Sequence, residues 1–280
     1  MLWRSRYDEA AARLGSPMDA RRIVSEAASG VWPYLLDEEV SERAGRYCEE
    51  MVARRAAGEP LQYVLGRWGF RQLDLLVDRR VLIPRPETEQ VVSVALAELA
   101  RLGPDPIVVD LGTGSGAIAL SIAAEAKPGA VWATDASAEA LAIARANLVG
   151  LGGSRAAKVR LEMGSWWDAL PTDLRGRVSL VVSNPPYVTT AEMATLPAVV
   201  GEWEPRSALE AGPRGLEAIE VVVAGAADWL RRPGAVVVEL APHQAAAAEA
   251  VAHGAGFDET RVEKDLAGRE RALVARLHAD

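Results

Sequence analysis

Cysteine, histidine and long apolar runs are all scarce in this chain. One residue of 280 is cysteine, Cys48. That excludes an internal disulfide and any cysteine-based zinc site. The three histidines, His243, His253 and His278, fall late in the chain without ligand spacing, so they read as surface or helix-end residues and no metal is expected. No uninterrupted apolar stretch is long enough to span a bilayer, so no membrane partner is expected. The opening residues Leu2-Trp3-Arg4-Ser5-Arg6-Tyr7-Asp8-Glu9 are charged and lack a signal-peptide core, which makes the cytoplasm the expected compartment. Basic excess is missing too: 39 Asp and Glu outweigh 31 Lys and Arg, for a net charge of −8. Neutralising nucleic-acid phosphates takes a basic stripe, and these arginines are scattered among acids. Direct nucleic-acid binding is therefore not expected, and a protein substrate agrees better with the charge.

Half the residues are hydrophobic and a quarter charged, as in an ordinary globular protein. The length suits one large domain plus a small one. Residues 1–66 read as short helices, with apolar residues at helical spacing in 10–14, 23–28 and 40–57. Breaks fall at Gly15-Ser16-Pro17, between Gly30 and Pro33, and at Gly58-Glu59-Pro60. Residues 67–104 form a linker: a β-hairpin over 67–83, ending in a strand Val81-Leu82-Ile83 that Pro84 stops, then a helix from Glu87 to Leu102 that Pro86 opens. From 105 to 280 strands and helices alternate, which predicts an α/β domain with a parallel sheet and helices on both faces. The expected strands are 107–110, 130–134, 157–162, 178–183, 235–240, 255–262 and 271–276.

Chemistry concentrates in Ser183-Asn184-Pro185-Pro186-Tyr187, directly after the apolar strand that begins at Val178. Holding a planar NH2 group takes two acceptors. The Asn184 side-chain oxygen can be one, and the Pro185 carbonyl the other. Pro185 and Pro186 have no N–H, so the loop shows mostly carbonyl oxygen. A proline after Asn184 also pushes that residue towards extended geometry. Tyr187 offers a flat face for packing on an amide or base. Alone, such a run is more often a stiffened turn.

A second run accompanies it. The strand Ile107-Val108-Val109 leads through Asp110-Leu111-Gly112-Thr113-Gly114-Ser115-Gly116 into a helix. The next strand ends in Asp135, whose carboxylate can accept both hydroxyls of a ribose. This is a nucleoside site at the carboxyl ends of parallel strands. The glycines also fit a dinucleotide pattern. Asp110 before the first glycine, and the Asn-Pro-Pro-Tyr run at the end of the fourth strand, favour S-adenosylmethionine over a nicotinamide. The expected cofactor contacts are Asp110, Gly112, Thr113, Gly114, Ser115, Gly116, Asp135 and Trp166, with Asn184 at the edge. Of Trp166 and Trp167, the first is the candidate for stacking on adenine and the second reads as core. Arg85 is a candidate for the cofactor's methionine end or the substrate channel; a surface ion pair with Glu87 or Glu89 is the equal alternative.

Together these runs resemble the protein-(glutamine-N5) methyltransferases that modify peptide chain release factors. The likeness extends from about Pro60 to the C-terminus. It includes Gly58-Glu59-Pro60-Leu61-Gln62-Tyr63, Ile83-Pro84-Arg85-Pro86-Glu87-Thr88-Glu89, Glu204-Pro205-Arg206-Ser207-Ala208-Leu209 and Asp265-Leu266-Ala267-Gly268-Arg269-Glu270-Arg271. DNA adenine methyltransferases share the Asn-Pro-Pro-Tyr run but not Ile83–Glu89. Two positions depart from the family pattern: Ser165 stands where an acid is usual, and Ala241 where glycine is preferred. The resemblance implies a Rossmann-like class I methyltransferase with a seven-stranded sheet and a small N-terminal helical domain that grips substrate. It implies S-adenosylmethionine as cofactor and a class I release factor as partner, modified on the glutamine of its Gly-Gly-Gln loop. Asn184, Pro185 and Tyr187 would be catalytic, and Arg85 and Pro186 would join them in holding substrate. A methyltransferase acting on another planar NH2 and a non-catalytic cofactor-binding module are the competing readings; the intact Asn-Pro-Pro-Tyr run weighs against the second.

Overall fold

The structure is a computed structural model that describes residues 1–279. The chain divides into two compact units, Met1–Arg67 with Pro197–Trp203, and Trp68–Leu196 with Glu204 onward. The inclusion of Pro197–Trp203 in the first unit is a feature that sequence patterning did not anticipate.

The first unit contains α1 (Trp3–Leu14), α2 (Pro17–Ala28), α3 (Glu42–Ala56) and α4 (Leu61–Leu65). The helix starts are set by capping. The Ser16 hydroxyl accepts the Asp19 N–H, and the Ser41 hydroxyl accepts the Ala44 N–H, so α3 begins at Glu42 rather than Val40. Trp3, Ile23, Val24, Leu35, Met51 and Val52 form the core of this unit. An Arg55–Asp19 ion pair at 2.7 Å ties α3 to the start of α2. In the same unit, a Cβ placed on Gly58 would stand 3.9 Å from the Trp203 indole nitrogen.

β1 (Arg67–Phe70) and β2 (Leu73–Leu76) form a small two-stranded sheet, followed by α5 (Pro86–Leu99). The expected strand at Val81–Ile83 is not one. These residues run as irregular chain. The Ile83 N–H donates to the Glu204 carboxylate (3.1 Å) instead of a neighbouring strand, and Pro84 has no N–H to continue a ladder.

The main sheet is built from β3 (Ile107–Leu111), α6 (Ala117–Glu125), β4 (Ala130–Asp135), α7 (Ala138–Leu151), β5 (Val159–Met163), β6 (Val178–Ser183), α8 (Glu217–Trp229), β7 (Leu230–Glu239), α9 (Ala245–Gly254), β8 (Glu259–Lys264) and β9 (Glu270–Leu277). The spatial order is β8-β9-β7-β6-β3-β4-β5. All seven expected strands are present. The five from β7 to β5 are parallel, as expected. β9 runs antiparallel to both β7 and β8, which corrects the all-parallel expectation. The tight turn between β8 and β9 can join only antiparallel strands. β8 also starts four residues later than expected, because the chain turns through Gly256 (φ +85°) before pairing.

The centre of the sheet is largely apolar. Val109, Leu111, Val181, Val236 and Val238 pack with Ile219, Val223 and Trp229 of α8. From β3 the chain moves outward through β4 to β5, then returns to the other side of β3 as β6. That reversal opens a crevice at the carboxyl ends of β3 and β6, where open α/β sheets hold their ligands. Among the described residues no helix is long and apolar enough to cross a membrane.

Candidate cofactor and acceptor site

The crevice is a cleft of about 310 Å³ lying wholly within the second unit. Gly112, Thr113, Gly114, Ser115, Asp135, Trp166, Asn184 and Pro186 line it. Asp110 and Gly116 do not; they lie beneath the glycine turn, with Asp110 fully buried. Pro185, Tyr187 and Arg85 are also outside the lining. One wall comes from Arg79, Arg80, Val81, Leu82 and Pro84, a segment that was read as hairpin and given no role.

Two carboxylates hold the glycine turn. Asp110 Oδ2 accepts the Thr113 hydroxyl (2.6 Å) and the Ala119 N–H (3.1 Å), while its Oδ1 is buried without a partner. Burial pushes the Asp110 carboxyl up to about 7, against those two donors, and the charge on Asp135 pushes the same way. Asp135 Oδ2 accepts the Gly114 N–H (2.9 Å) and its Oδ1 accepts the Ser137 N–H (2.8 Å). Burial raises the Asp135 carboxyl, partly offset by these N–H groups. Gly112 (φ +74°) and Gly114 (φ +57°) hold backbone that other residues resist, and a side chain on Gly114 would project into open space.

The two tryptophans take different positions, Trp166 on the cleft and Trp167 half-buried against the core. Trp167 stacks on Trp229 with ring centroids 5.7 Å apart, and its indole N–H donates to the Val221 carbonyl (2.9 Å). Trp166 lines the cleft and carries φ +46°, a left-handed backbone that a large side chain adopts at a cost of about 1–3 kcal/mol. Its ring lies 3.8 Å from where a Cβ on Gly112 would stand. Ser165 also lines the cleft.

Behind the Asn184–Tyr187 loop lies a polar cluster that sequence reading missed. The Asn184 Nδ2 group donates to the Thr88 hydroxyl (3.2 Å), and the Thr88 hydroxyl donates to Glu239 Oε2 (2.7 Å). Tyr187 Oη lies 3.4 Å from Glu239 Oε1. Glu239 is 1% exposed, and burial pushes its carboxyl up to about 7. Gln244 fixes the end of the loop: its Nε2 donates to the carbonyls of Tyr187 and Gly215, both at 2.9 Å. Its Oε1 accepts the Ala241 N–H (3.0 Å). A carboxylate closing the apolar run 235–238 was the available signal for Glu239. Thr88 lies in the Ile83–Glu89 run, but nothing in that run points to Glu239, and nothing gave Gln244 a role.

Arg85 pairs with Glu204, and neither Glu87 nor Glu89 is its partner. The Glu204 side chain is 1% exposed and also takes the Ile83 N–H. Two sequence-distant runs, Ile83–Glu89 and Glu204–Leu209, are thereby joined at one carboxylate. Pro84 of the first and Pro205, Ser207 and Ala208 of the second stand in the cleft wall. Among the described residues no cluster of His, Cys, Asp and Glu is arranged to hold a metal ion.

Residues 93–201 match the family Methyltransferase small domain, and residues 30–66 match the PrmC N-terminal domain. A release factor glutamine methyltransferase of Cereibacter sphaeroides is 38% identical over 93% of this chain and 91% of its own length. One of Moorella thermoacetica is 39% identical over 98% of each. The chain belongs to the release factor glutamine methyltransferase family. The fold is that of class I methyltransferases. A methyltransferase from Pyrococcus furiosus, 17% identical, superposes with a TM-score of 0.54 over 82% of this chain and 99% of its own. Family membership thus agrees with the resemblance carried by the Asn184–Tyr187 and Ile83–Glu89 runs.

Proposed function

We infer that this protein transfers a methyl group from S-adenosylmethionine to the side-chain amide nitrogen (N5) of a glutamine in the Gly-Gly-Gln loop of a class I peptide chain release factor. The observation that carries this reading is the placement of Asn184 on the same cleft as Asp135 and the glycine turn, with its NH2 group already committed to Thr88. That bond turns Nδ2 towards Thr88 and leaves Oδ1 available to an incoming amide.

The residues present fit the cofactor. S-adenosylmethionine is a cationic nucleoside, and the cleft offers the Asp135 carboxylate and a glycine turn with no side chain in the way, while Asp110, buried outside the lining, braces that turn. Asp135 would take the ribose hydroxyls, and Trp166 would face the adenine. When bound, the cofactor supplies a methyl group activated on a sulfonium.

An amide nitrogen is a poor nucleophile because its lone pair is delocalised into the carbonyl. Positioning is therefore the main contribution open to the protein, and it can be worth roughly 7–11 kcal/mol. Asn184 Oδ1 and the Pro185 carbonyl would accept the two N–H groups of the substrate amide. Two fixed acceptors orient the nitrogen and stabilise the positive charge developing on it. The extra proton leaves the nitrogen after transfer. Tyr187 would pack against the amide, anchored through its hydroxyl near Glu239. The family membership supports a release factor as partner, and the acidic balance of the chain supports protein over free nucleic acid. The first unit is the proposed grip on the body of that factor, and the cytoplasm, where translation ends, is the proposed compartment.

The test uses methyl-labelled S-adenosylmethionine with a purified, folded release factor. Mass spectrometry should place one methyl on the glutamine of the Gly-Gly-Gln loop. A short Gly-Gly-Gln peptide should react far more slowly, since remote contacts help position the amide. Label on another residue, or on RNA alone, would overturn the substrate assignment.

A further inference from the structure

We propose that Thr88 and Glu239 are positioning residues that decide which way round the Asn184 amide stands, keeping its Oδ1 free for the substrate. The proposal rests on the functional reading above and adds to it the device that orients the acceptor.

The hydrogen-bond directions carry the argument. A threonine hydroxyl has one proton. Thr88 gives that proton to Glu239 Oε2 at 2.7 Å, so towards Asn184 its oxygen can only accept. The Asn184 Nδ2 group is its donor at 3.2 Å. A flipped Asn184 would set two oxygens against each other with no proton between them, and would offer an NH2 group to a substrate that itself brings NH2. Glu239 is 1% exposed and outside the cleft lining, so water does not substitute for it, while Thr88, at 4% exposure, stands between it and the cleft. The three side chains come from α5, the end of β6 and the end of β7. The orientation of Asn184 is therefore set by the fold and not by its own loop.

The charge state of Glu239 sets the polarity of this relay. An ionised carboxylate only accepts. A protonated one can donate to Thr88, whose proton then becomes available to Asn184 and rewards the wrong orientation. The groups acting on Glu239 are Glu87 and Thr88 on α5, Tyr187 after β6, and Arg271 on β9. Burial and Glu87 favour the protonated form; Thr88, Arg271 and Tyr187 oppose it. With the carboxyl near 7, turnover should fall as the pH drops through neutrality.

The experiment compares wild type with Thr88→Val, Thr88→Ser and Glu239→Gln. Thr88→Val should lower kcat about tenfold or more, as expected for a misaligned acceptor, while KM for the release factor and calorimetric cofactor affinity stay within about twofold. Thr88→Ser should restore most of the rate, and Glu239→Gln should abolish the loss of kcat below pH 7. A second readout needs no turnover: the 15N resonance of the Asn184 side chain in the cofactor-free protein, assigned by its disappearance in Asn184→Ala. It should titrate near neutrality in wild type and not in Glu239→Gln or Thr88→Val. Wild-type kcat in Thr88→Val, or an Asn184 resonance indifferent to all three substitutions, would overturn the relay. A wild-type protein that left the release factor unmethylated would sink the functional reading instead, and the resonance would still decide the relay.

Discussion

Asp135 Oδ2 accepts the backbone N–H of Gly114 at 2.9 Å, so the carboxylate that ends β4 also braces the turn that follows β3. The same group shapes the cleft and lines it. Asp135→Ala should weaken S-adenosylmethionine binding by on the order of 1.5–3 kcal/mol for each charged hydrogen bond lost. Asp135→Asn, which keeps an oxygen for Gly114, should lose less. Calorimetry giving equal affinity for wild type and Asp135→Ala would remove this residue from the cofactor site.

Asn184→Ala should cut methyl transfer by roughly 10²–10³, the usual effect of removing a fixed group aimed at developing charge. Cofactor affinity should stay close to wild type, because the side chain addresses the acceptor amide. Asn184→Asp keeps an oxygen but loses the Nδ2 donor to Thr88, so it too should fail. Single-turnover transfer of labelled methyl measures both. Wild-type turnover in the alanine variant would end the proposed role.

The Asp110 carboxyl titrates near 7 in the folded chain and near the ordinary value of about 3.9 once unfolded. The unfolded chain therefore gives up its proton first as pH rises. This contribution to stability is full below about pH 4 and is lost progressively as pH rises to about 7. Asp110→Asn removes the titration. Its stability relative to wild type should rise by roughly 2–3 kcal/mol between pH 5 and pH 8. Urea unfolding of both proteins at the two pH values checks the sign, and a constant difference would contradict it.

Gly215 leaves room for the Gln244 clamp. A Cβ there would stand 2.7 Å from both Gln244 Nε2 and the Tyr187 carbonyl oxygen. Gly215→Ala should cost about 1–3 kcal/mol, as overpacking of tight sites does, and should lower turnover by displacing the loop that carries Asn184. Denaturant midpoints and kcat, measured together, should both fall while cofactor affinity holds.

Glu204→Ala should cost about 1–3 kcal/mol by leaving the Ile83 N–H without an acceptor. Glu204→Gln keeps that acceptor and should cost less. Equal urea midpoints for the two variants would mean that the Ile83 bond contributes nothing.

The sheet was legible because most of its strands carry an apolar run with a turn signal behind it, and β6 was read with its observed bounds. The cleft lining was legible where chemistry and chain position coincide: a carboxylate or a glycine turn at the end of an apolar strand marked Asp135 and Gly112–Ser115, while Asp110 and Gly116, marked the same way, lie outside the lining. Thr88 and Glu239 are 151 residues apart, and their contact follows from strand order, which periodicity does not encode. Val81–Ile83 reads as a strand because three apolar residues run together there. The Val81 N–H instead donates to the Asp78 carbonyl, and the Ile83 N–H to Glu204, 121 residues onward. Of the two readings of Arg85, the ion pair places its partner close in sequence, at Glu87 or Glu89; the partner is the same long-range carboxylate, Glu204.

The inclusion of Pro197–Trp203 in the first unit bears on biosynthesis. During translation Met1–Arg67 leaves the ribosome long before Trp203 is made. The amino-terminal helices must wait, incomplete, while most of the sheet is being synthesised. A gene fragment ending after Arg67 would encode a unit lacking one of its own pieces, and cutting the first 67 residues from the protein would strand that piece in the remainder. The two units are thus interleaved in the order of synthesis, and neither can be transplanted into another protein as one uninterrupted stretch of coding sequence.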